Sequence, residues 1–230
     1  MMSTRITGIS SMATRQLLAA LAGDWRQRGG GEVVFKAMGG VDAAKRVRAG
    51  DVFDVVVLAA DAIDALAAAG RIVPDSVSAL ARSDIAVAVR RGAPRPAIDS
   101  EAALRAAVLA AGAVGYSTGP SGAALQKLFA QWGITEPMQR RLVQAPPGVP
   151  VGALLARGEV ELGFQQLSEL MHVEGVDVVG AMPPGLQIST TFSGGVCAAS
   201  TQPEAARALL DFIRSPATDE TWRHHGMKPA

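Results

Sequence analysis

The sequence has little cysteine, few aromatic residues and almost no net charge. Its 230 residues include one cysteine, Cys197, so no disulfide bond can form within the chain. Lys and Arg number 22 against 21 Asp and Glu, which excludes the basic surface typical of nucleic-acid-binding proteins. No apolar run approaches the length of a membrane span. We therefore expect neither a nucleic-acid partner nor insertion into a membrane.

The amino-terminal residues contain no recognisable export signal. Met1–Ile6 leads directly into a predicted strand, without the apolar segment and small-residue cleavage site of a secretory leader. The sequence as written therefore predicts a cytoplasmic protein. A periplasmic location would follow if a leader has been removed.

Apolar strands alternate with helical segments along the whole chain, which predicts an α/β fold. The run Asp54–Ala59 is typical of a parallel strand that is covered on both faces. This alternation favours two lobes, each a doubly wound and mostly parallel sheet. Two β-rich stretches, near residues 84–90 and 186–198, are predicted to cross between the lobes as a hinge. The predicted lobes are residues 1–83 with 192–230, and residues 84–191.

Small and hydroxyl-bearing residues lie where strands of the first lobe give way to helices. Ser10 and Ser11 follow the first strand, Gly39 and Gly40 follow the second, and Ala60 follows the third. Ligands of such sheets bind beyond the carboxyl ends of the strands, where helix amino termini offer free N–H groups to an anion. The structural alternatives are that Ser11 caps a helix and that the two glycines form a turn with positive φ.

A second turn of this kind, Tyr116–Gly122, lies in the second half of the chain. Its Ser117 and Ser121 are candidate ligand donors, and Gln165 ends a later strand with a side chain that both donates and accepts. Gly115–Gly119 also matches the G-x-S-x-G pattern of hydrolases. Gly119 and Pro120 separate Ser117 from the helix, which we expect to start at Ser121, so the context favours an anion site. A triad would have to be completed by Asp177 and His224.

Other reactive residues have simpler interpretations. We expect Cys197 to be an inert buried thiol and His224 with His225 to lie near the end of a helix. Arg15 either reaches a ligand carboxylate or lies on the surface. No metal-ligand spacing is present, and we expect no cofactor.

Several of these segments resemble the molybdate-binding-protein-like family of solute-binding proteins, which have the type II periplasmic-binding-protein fold. The resemblance rests on Ser10-Ser11, the turn at Gly39-Gly40, Asp54–Asp61 and Gly163–Gln166. It implies a hinged two-lobed clamp that holds an oxyanion in its cleft by neutral hydroxyl and backbone donors, and an ABC importer as partner if the chain is secreted.

Carried over by position, the resemblance implies roles for particular residues. Ser11 matches the serine of the first lobe, Gly40 falls at or beside a second serine, and Ala60 matches a backbone donor. Ser121 lies in the turn of the second lobe, and Gln165 stands where molybdate binders usually have a tyrosine. The lost serine and tyrosine set this chain apart from molybdate binders.

The stretches Gly115–Gly122 and Gly163–Leu170 are also similar to a branch of this superfamily that includes aconitate isomerase. Two functions therefore stay open, which are binding of a small oxyanion or carboxylate and isomerisation of an unsaturated tricarboxylate in the same cleft. Isomerisation requires a base, and the candidates by location are Asp42, Asp61, Tyr116 and Lys36, with no catalytic residue assigned. A regulatory sensor that signals through a partner is a third alternative.

Overall fold

The computed structural model describes residues 5–230. The strands are β1 (Arg5–Ser11), β2 (Glu32–Met38), β3 (Val55–Ala59), β4 (Ser78–Arg90), β5 (Val114–Tyr116), β6 (Leu142–Gln144), β7 (Leu162–Gln166), β8 (Val176–Ala181), β9 (Ser189–Val196) and β10 (Lys228–Pro229). The helices are α1 (Arg15–Gln27), α2 (Gly40–Ala49), α3 (Ala60–Ala68), α4 (Glu101–Ala110), α5 (Pro120–Gln131), α6 (Thr135–Met138), α7 (Val151–Arg157), α8 (Leu167–Leu170), α9 (Pro203–Ile213) and α10 (Asp219–His224).

The described chain divides into two compact units. Unit 1 contains the described residues up to Arg82 together with Thr191–Ala230, and unit 2 contains Ser83–Thr190. The divisions fall within β4 and within β9, so each of these two strands contributes residues to both units.

The sheet of unit 1 is mostly parallel. Strands β2, β1 and β3 lie side by side and parallel, and β9 adds to β3 in the antiparallel direction. One face of the sheet packs against α1, α9 and α10, and the other packs against α2 and α3. Because β1, β2 and β3 run in one direction, their carboxyl ends meet at one edge of the sheet.

The sheet of unit 2 has the same character. Strands β7, β5 and β6 are parallel neighbours, while β4 pairs with both β7 and β8 in the antiparallel direction. Helices α4, α5 and α6 cover one face, and α7 and α8 cover the other. The carboxyl ends of β5, β6 and β7 therefore also share an edge.

Several local predictions are confirmed, and the starts of three helices are corrected. The sequence predicts a strand over Glu32–Met38, which are the bounds of β2, and a helix capped by Ser100, whose side chain accepts from the Ala103 N–H at the start of α4. A helix was predicted to start directly after Ser11, but a 3₁₀ turn intervenes and α1 starts at Arg15. From its residue type, Asp61 after the third strand is predicted to cap α3, and α5 is expected to start at Ser121. Each lies one residue inside its helix instead, because Ala59 and Gly119 take the capping positions.

A buried carboxylate, Asp54, connects three segments of unit 1. It is 4% exposed and accepts hydrogen bonds from the Thr7 N–H and hydroxyl, the Ser200 hydroxyl and the Gln202 amide. Burial raises the pKa of Asp54, but these donors outweigh it and hold the pKa below its ordinary value of 3.8. The charge of Asp54 is thus stabilised by neutral donors.

Cys197 follows β9 and is buried. Burial, together with the charge of Asp54, raises the pKa of its thiol to about 12. This agrees with the expected inert thiol, because reaction requires the thiolate.

Within residues 5–230, no helix is long and apolar enough to cross a bilayer. Across the same residues, no group of three or more His, Cys, Asp or Glu side chains is arranged to hold a metal ion.

Candidate functional site

The two serines at the end of β1 lie at the centre of the carboxyl edge of unit 1. Ser10 is paired with Ala37 of β2 on one side and with Val57 of β3 on the other, and Ser11 is paired with Met38. Neighbouring strands are about 4.8 Å apart, so the residues that follow β2 and β3 flank these serines. The strand order thus brings together the first-lobe positions that the sequence analysis selected.

Ser10 carries a buried hydroxyl for which the described residues supply no hydrogen-bond partner. The residue is 0% exposed, and its Oγ is inaccessible to solvent and unpaired. An unsatisfied buried hydroxyl costs about 1–3 kcal/mol, so such a group calls for a ligand or an ordered water. Ser11 is also buried, and its Oγ lies 3.5 Å from the Thr14 Oγ1 instead of capping a helix N–H.

The Gly39-Gly40 turn brings the amino terminus of α2 to Ser11. Gly39 has φ −53°, and Gly40 is not among the glycines with positive φ, so the alternative of a positive-φ turn at these glycines is wrong. A Cβ atom added at Gly40 would lie 3.8 Å from the Ser11 Cβ and would meet no other atom within 4 Å. The glycine therefore leaves open space beside Ser11.

Backbone N–H groups are available at this edge. In α2 the first N–H that bonds back to the cap is that of Ala43, which donates to the Gly39 carbonyl, and neither Gly39 nor Ala59 has a side chain that could cap its helix. The first N–H groups of α2 and α3, including that of Ala60, have no acceptor within their own helices. Together with the helix dipoles, they make the edge attractive to an anion.

Two carboxylates in the first turns of these helices oppose that attraction only weakly. Asp42 is half exposed and lies 3.7 Å from the Lys45 ammonium, and Asp61 is exposed. Water and the Lys45 cation weaken the repulsion between these carboxylates and an anion. The hydrogen bonds that the buried serine hydroxyls can donate are weakened less.

The second candidate cluster lies at the carboxyl edge of unit 2, where β5 leads into α5. The hydroxyls of Ser117 and Ser121 are 2.9 Å apart, and Ser121 is 6% exposed. Gly122 fits tightly beneath them, since a Cβ at this position would be 1.9 Å from the Ser117 carbonyl oxygen. The loop from Ser117 to Gly119 is thus held directly against the first turn of the helix.

The backbone does not support the hydrolase alternative. In that motif the serine sits on a sharp, strained turn that leads directly into its helix. No non-glycine residue among those described has a positive φ, and Gly119 separates Ser117 from α5. Asp177 accepts from the Gly92 N–H and lies near Arg91, while His224 packs edge to face on His225. Ser117 thus lacks the strained geometry of a nucleophile elbow.

Gln165 is buried and already engaged. Its Oε1 accepts from the Val151 N–H at 2.8 Å, and its Nε2 donates to the Glu169 carboxylate at 2.8 Å. The Gln165 side chain therefore caps an N–H group at the start of α7 and orients the Glu169 carboxylate. Its role as a ligand contact stays a prediction.

Gln166 belongs to the strand end Gly163–Gln166 that was noted in the sequence, but it was not selected there as a ligand contact. It is 4% exposed, its Nε2 donates to the Thr190 hydroxyl, and its Oε1 is buried without a partner among the described residues. Ser168 likewise has an unpaired buried hydroxyl. The end of β7 therefore holds unused hydrogen-bonding capacity, which the polar run Gln165–Glu169 would have indicated.

Known proteins resemble this chain over most of its length. Residues 6–228 match the family described as bacterial extracellular solute-binding protein. An aconitate isomerase of a Pseudomonas species is 41% identical over 177 residues, which cover 76% of this chain and 67% of that protein.

Solved structures share the fold at low sequence identity. The sulfate-binding protein SubI of Mycobacterium tuberculosis H37Rv has a TM-score of 0.83 at 19% identity, covering 99% of this chain and 87% of that one. The periplasmic molybdate-binding protein of Azotobacter vinelandii has a TM-score of 0.81 at 16% identity, covering 96% and 98%. The expected fold class is thus confirmed.

Proposed function

This chain belongs to the bacterial extracellular solute-binding protein family, and on that basis we propose that it binds a small anion through uncharged hydroxyl and backbone donors. The observation that carries the proposal is the buried Ser10 hydroxyl, which has no partner among residues 5–230 and lies at the strand edge where α2 and α3 begin. The relatives described above are named for sulfate, molybdate and aconitate, which are all small anions.

Neutral donors are sufficient for useful affinity. A hydrogen bond to a charged group contributes about 1.5–3 kcal/mol, so five would supply about 7–15 kcal/mol before ordering and desolvation costs. Micromolar binding requires about 8 kcal/mol net. The hydroxyls of Ser10 and Ser11 and the first N–H groups of α2 and α3 provide that number of donors.

The ligand class, the location and the partner follow from this proposal. An oxyanion or a di- or tricarboxylate suits the donors, and an ABC importer is the expected partner if the chain is exported to the periplasm. If it stays in the cytoplasm, we propose that it acts on its ligand instead of delivering it. That the clusters of unit 1 and unit 2 serve one ligand is a prediction from the sequence.

Titration calorimetry against molybdate, sulfate, phosphate, citrate and trans-aconitate tests the binding proposal. We expect at least one of these anions to bind with micromolar affinity, and Ser11→Ala to weaken that binding about tenfold or more by removing a donor to a charged group. The exposed Ser189→Ala serves as a control and should leave the affinity unchanged.

The same titration separates the two clusters. Ser121→Ala should also weaken binding if unit 2 donates to the same anion. An unchanged affinity in that variant would confine the site to unit 1. Failure of all five anions to bind the wild-type protein would refute the proposal.

A second function, isomerisation of an unsaturated tricarboxylate, is favoured by the 41% identity to an aconitate isomerase. We expect the protein to convert trans-aconitate and to incorporate deuterium from heavy water, because moving the double bond removes and returns a proton. Absorbance and mass spectrometry measure the two effects. A protein that binds trans-aconitate but shows neither effect at high enzyme concentration is a binder only.

A further inference from the structure

We propose that Glu169 is the base that moves the proton in this isomerisation and that Gln165 is the positioning residue that holds it. The inference rests on the proposed isomerase function. It supplies the group that the sequence analysis could not assign.

The Gln165 side chain is locked in one orientation. Its Oε1 faces a backbone N–H, that of Val151, which can only donate, and its Nε2 faces the Glu169 carboxylate, which can only accept in its charged form. Exchange of the amide oxygen and nitrogen would break both contacts. Because Gln165 is only 3% exposed, water competes little with either bond, and the carboxylate is held in place.

Glu169 is positioned at the edge where unit 2 has its candidate donors. Phe164 of β7 is paired with Tyr116 of β5, so Gln165 and Ser117 each come directly after this pair in their own segments. Glu169 follows one turn later on α8, which starts directly after β7. The carboxylate and the Ser117 and Ser121 hydroxyls therefore share the carboxyl edge of one sheet.

Two further polar groups at the end of β7 have unused hydrogen-bonding capacity. The Gln166 Oε1 and the Ser168 Oγ are buried and unpaired among residues 5–230, and these residues are 4% and 7% exposed. They flank Gln165 and Glu169 in the sequence. The Ser168 hydroxyl can donate to a carboxylate oxygen of a tricarboxylate, whereas the Gln166 Oε1 only accepts and is suited to a hydroxyl or a water.

The other candidate bases fit less well. Asp42 lies beside Lys45 on the surface, and Asp61 and Lys36 are exposed, whereas efficient proton transfer from carbon needs a positioned group. The Tyr116 side chain is buried in the hydrophobic core against α5, and its hydroxyl accepts from the Gln126 amide at 2.6 Å. Glu169 differs in being a carboxylate that a buried side chain orients.

The proton transfer is balanced without any additional reactant. The Glu169 carboxylate removes a proton from the methylene carbon beside a substrate carboxylate, and the C–H electron pair delocalises over the adjacent double bond. The same carboxyl group returns the proton at the far carbon of the former double bond. The double bond has then moved, and the carboxylate is regenerated. Hydroxyl donors at this edge stabilise the charge that develops on the substrate.

Glu169→Gln in the full chain tests the base directly. We expect conversion of trans-aconitate and its deuterium incorporation both to fall by about 100-fold or more, while calorimetry shows that trans-aconitate still binds at least as tightly. Glu169→Asp should retain measurable turnover. The control Glu174→Gln, an exposed glutamate of the same unit, should behave as wild type.

Gln165→Leu tests the positioning role. Loss of a donor to a carboxylate raises its pKa, so the acidic limb of the kcat profile should move to higher pH, with KM little changed. A residue that only supports the fold would lower kcat without moving the profile. Thermal unfolding of each variant identifies a folding defect. If Glu169→Gln does not fold, the turnover of Glu169→Asp, which keeps a carboxylate, tests the role of the base instead.

Three outcomes would overturn the inference. If Glu169→Gln incorporates deuterium at the wild-type rate, Glu169 is not the base. Loss of affinity in proportion to the loss of rate makes it a binding group. A wild-type protein that binds trans-aconitate but neither converts it nor incorporates deuterium ends both the isomerase function and the role of Glu169, yet leaves anion binding intact.

Discussion

Gly122→Ala is expected to lower the free energy of unfolding by about 3 kcal/mol or more, the upper range for overpacking. The added Cβ would lie 1.9 Å from the Ser117 carbonyl oxygen and 2.9 Å from its carbon, which are backbone atoms that cannot rotate away. Relief requires the loop to separate from α5, which also moves Ser117 and Ser121. Differential scanning calorimetry should show a melting temperature lower by roughly 6–12 °C.

Gly23→Ala is the matched control for this change. Gly23 lies inside α1, and a Cβ there meets no atom within 4 Å. Alanine has the higher helix propensity, so this variant should be more stable by up to about 1 kcal/mol. If both glycine variants melt at the wild-type temperature, then Gly122 is not held against the Ser117 carbonyl.

Asp54→Asn is expected to cost about 3 kcal/mol or more of stability at pH 7. The carboxylate accepts from four donors on Thr7, Ser200 and Gln202. An amide replaces one accepting oxygen with a donor, so some of these buried groups lose their partner. Urea unfolding followed by circular dichroism measures the difference.

The sign of the pH dependence follows from the lowered pKa of Asp54. A carboxyl group whose pKa is lower in the folded than in the unfolded protein stabilises the fold above its unfolded pKa. That contribution is lost as the pH falls through the folded pKa, which lies below 3.8. The difference in the free energy of unfolding between wild type and Asp54→Asn should therefore be largest at pH 6. It should decrease as the pH falls below about 4.

Asp75→Asn is the control for the loss of a carboxylate. Asp75 forms an exposed ion pair with Arg207, and surface pairs contribute little. The variant should unfold close to the wild-type urea concentration at every pH. A gap for Asp54→Asn that stays constant down to pH 3 would show that its charge does not stabilise the fold.

Local sequence signals were sufficient wherever a structure depends on neighbouring residues. Gly50 ends α2 with φ 95°, and Ser100 caps α4 through its own side chain. The misplaced helix starts at Ser11, Asp61 and Ser121 share one cause. A residue type that can cap was taken to start each helix, although no side chain makes a capping hydrogen bond at the start of the 3₁₀ turn, of α3 or of α5.

The sequence by itself determined the α/β alternation, the strands and the polar turns that end them. It therefore located Ser10, Ser11 and Gly40 at one edge, because parallel strands bring their carboxyl ends together. Only the tertiary structure decided which polar groups are satisfied. The donors of Asp54 come from residues up to 148 positions away, and Gln165 meets the Val151 N–H across 14 residues. Hydrogen bonds between distant segments depend on sheet register, which no local pattern encodes. That is why the held Glu169 carboxylate, and the Ser10 and Gln166 atoms that no described residue pairs with, became visible only in the folded chain.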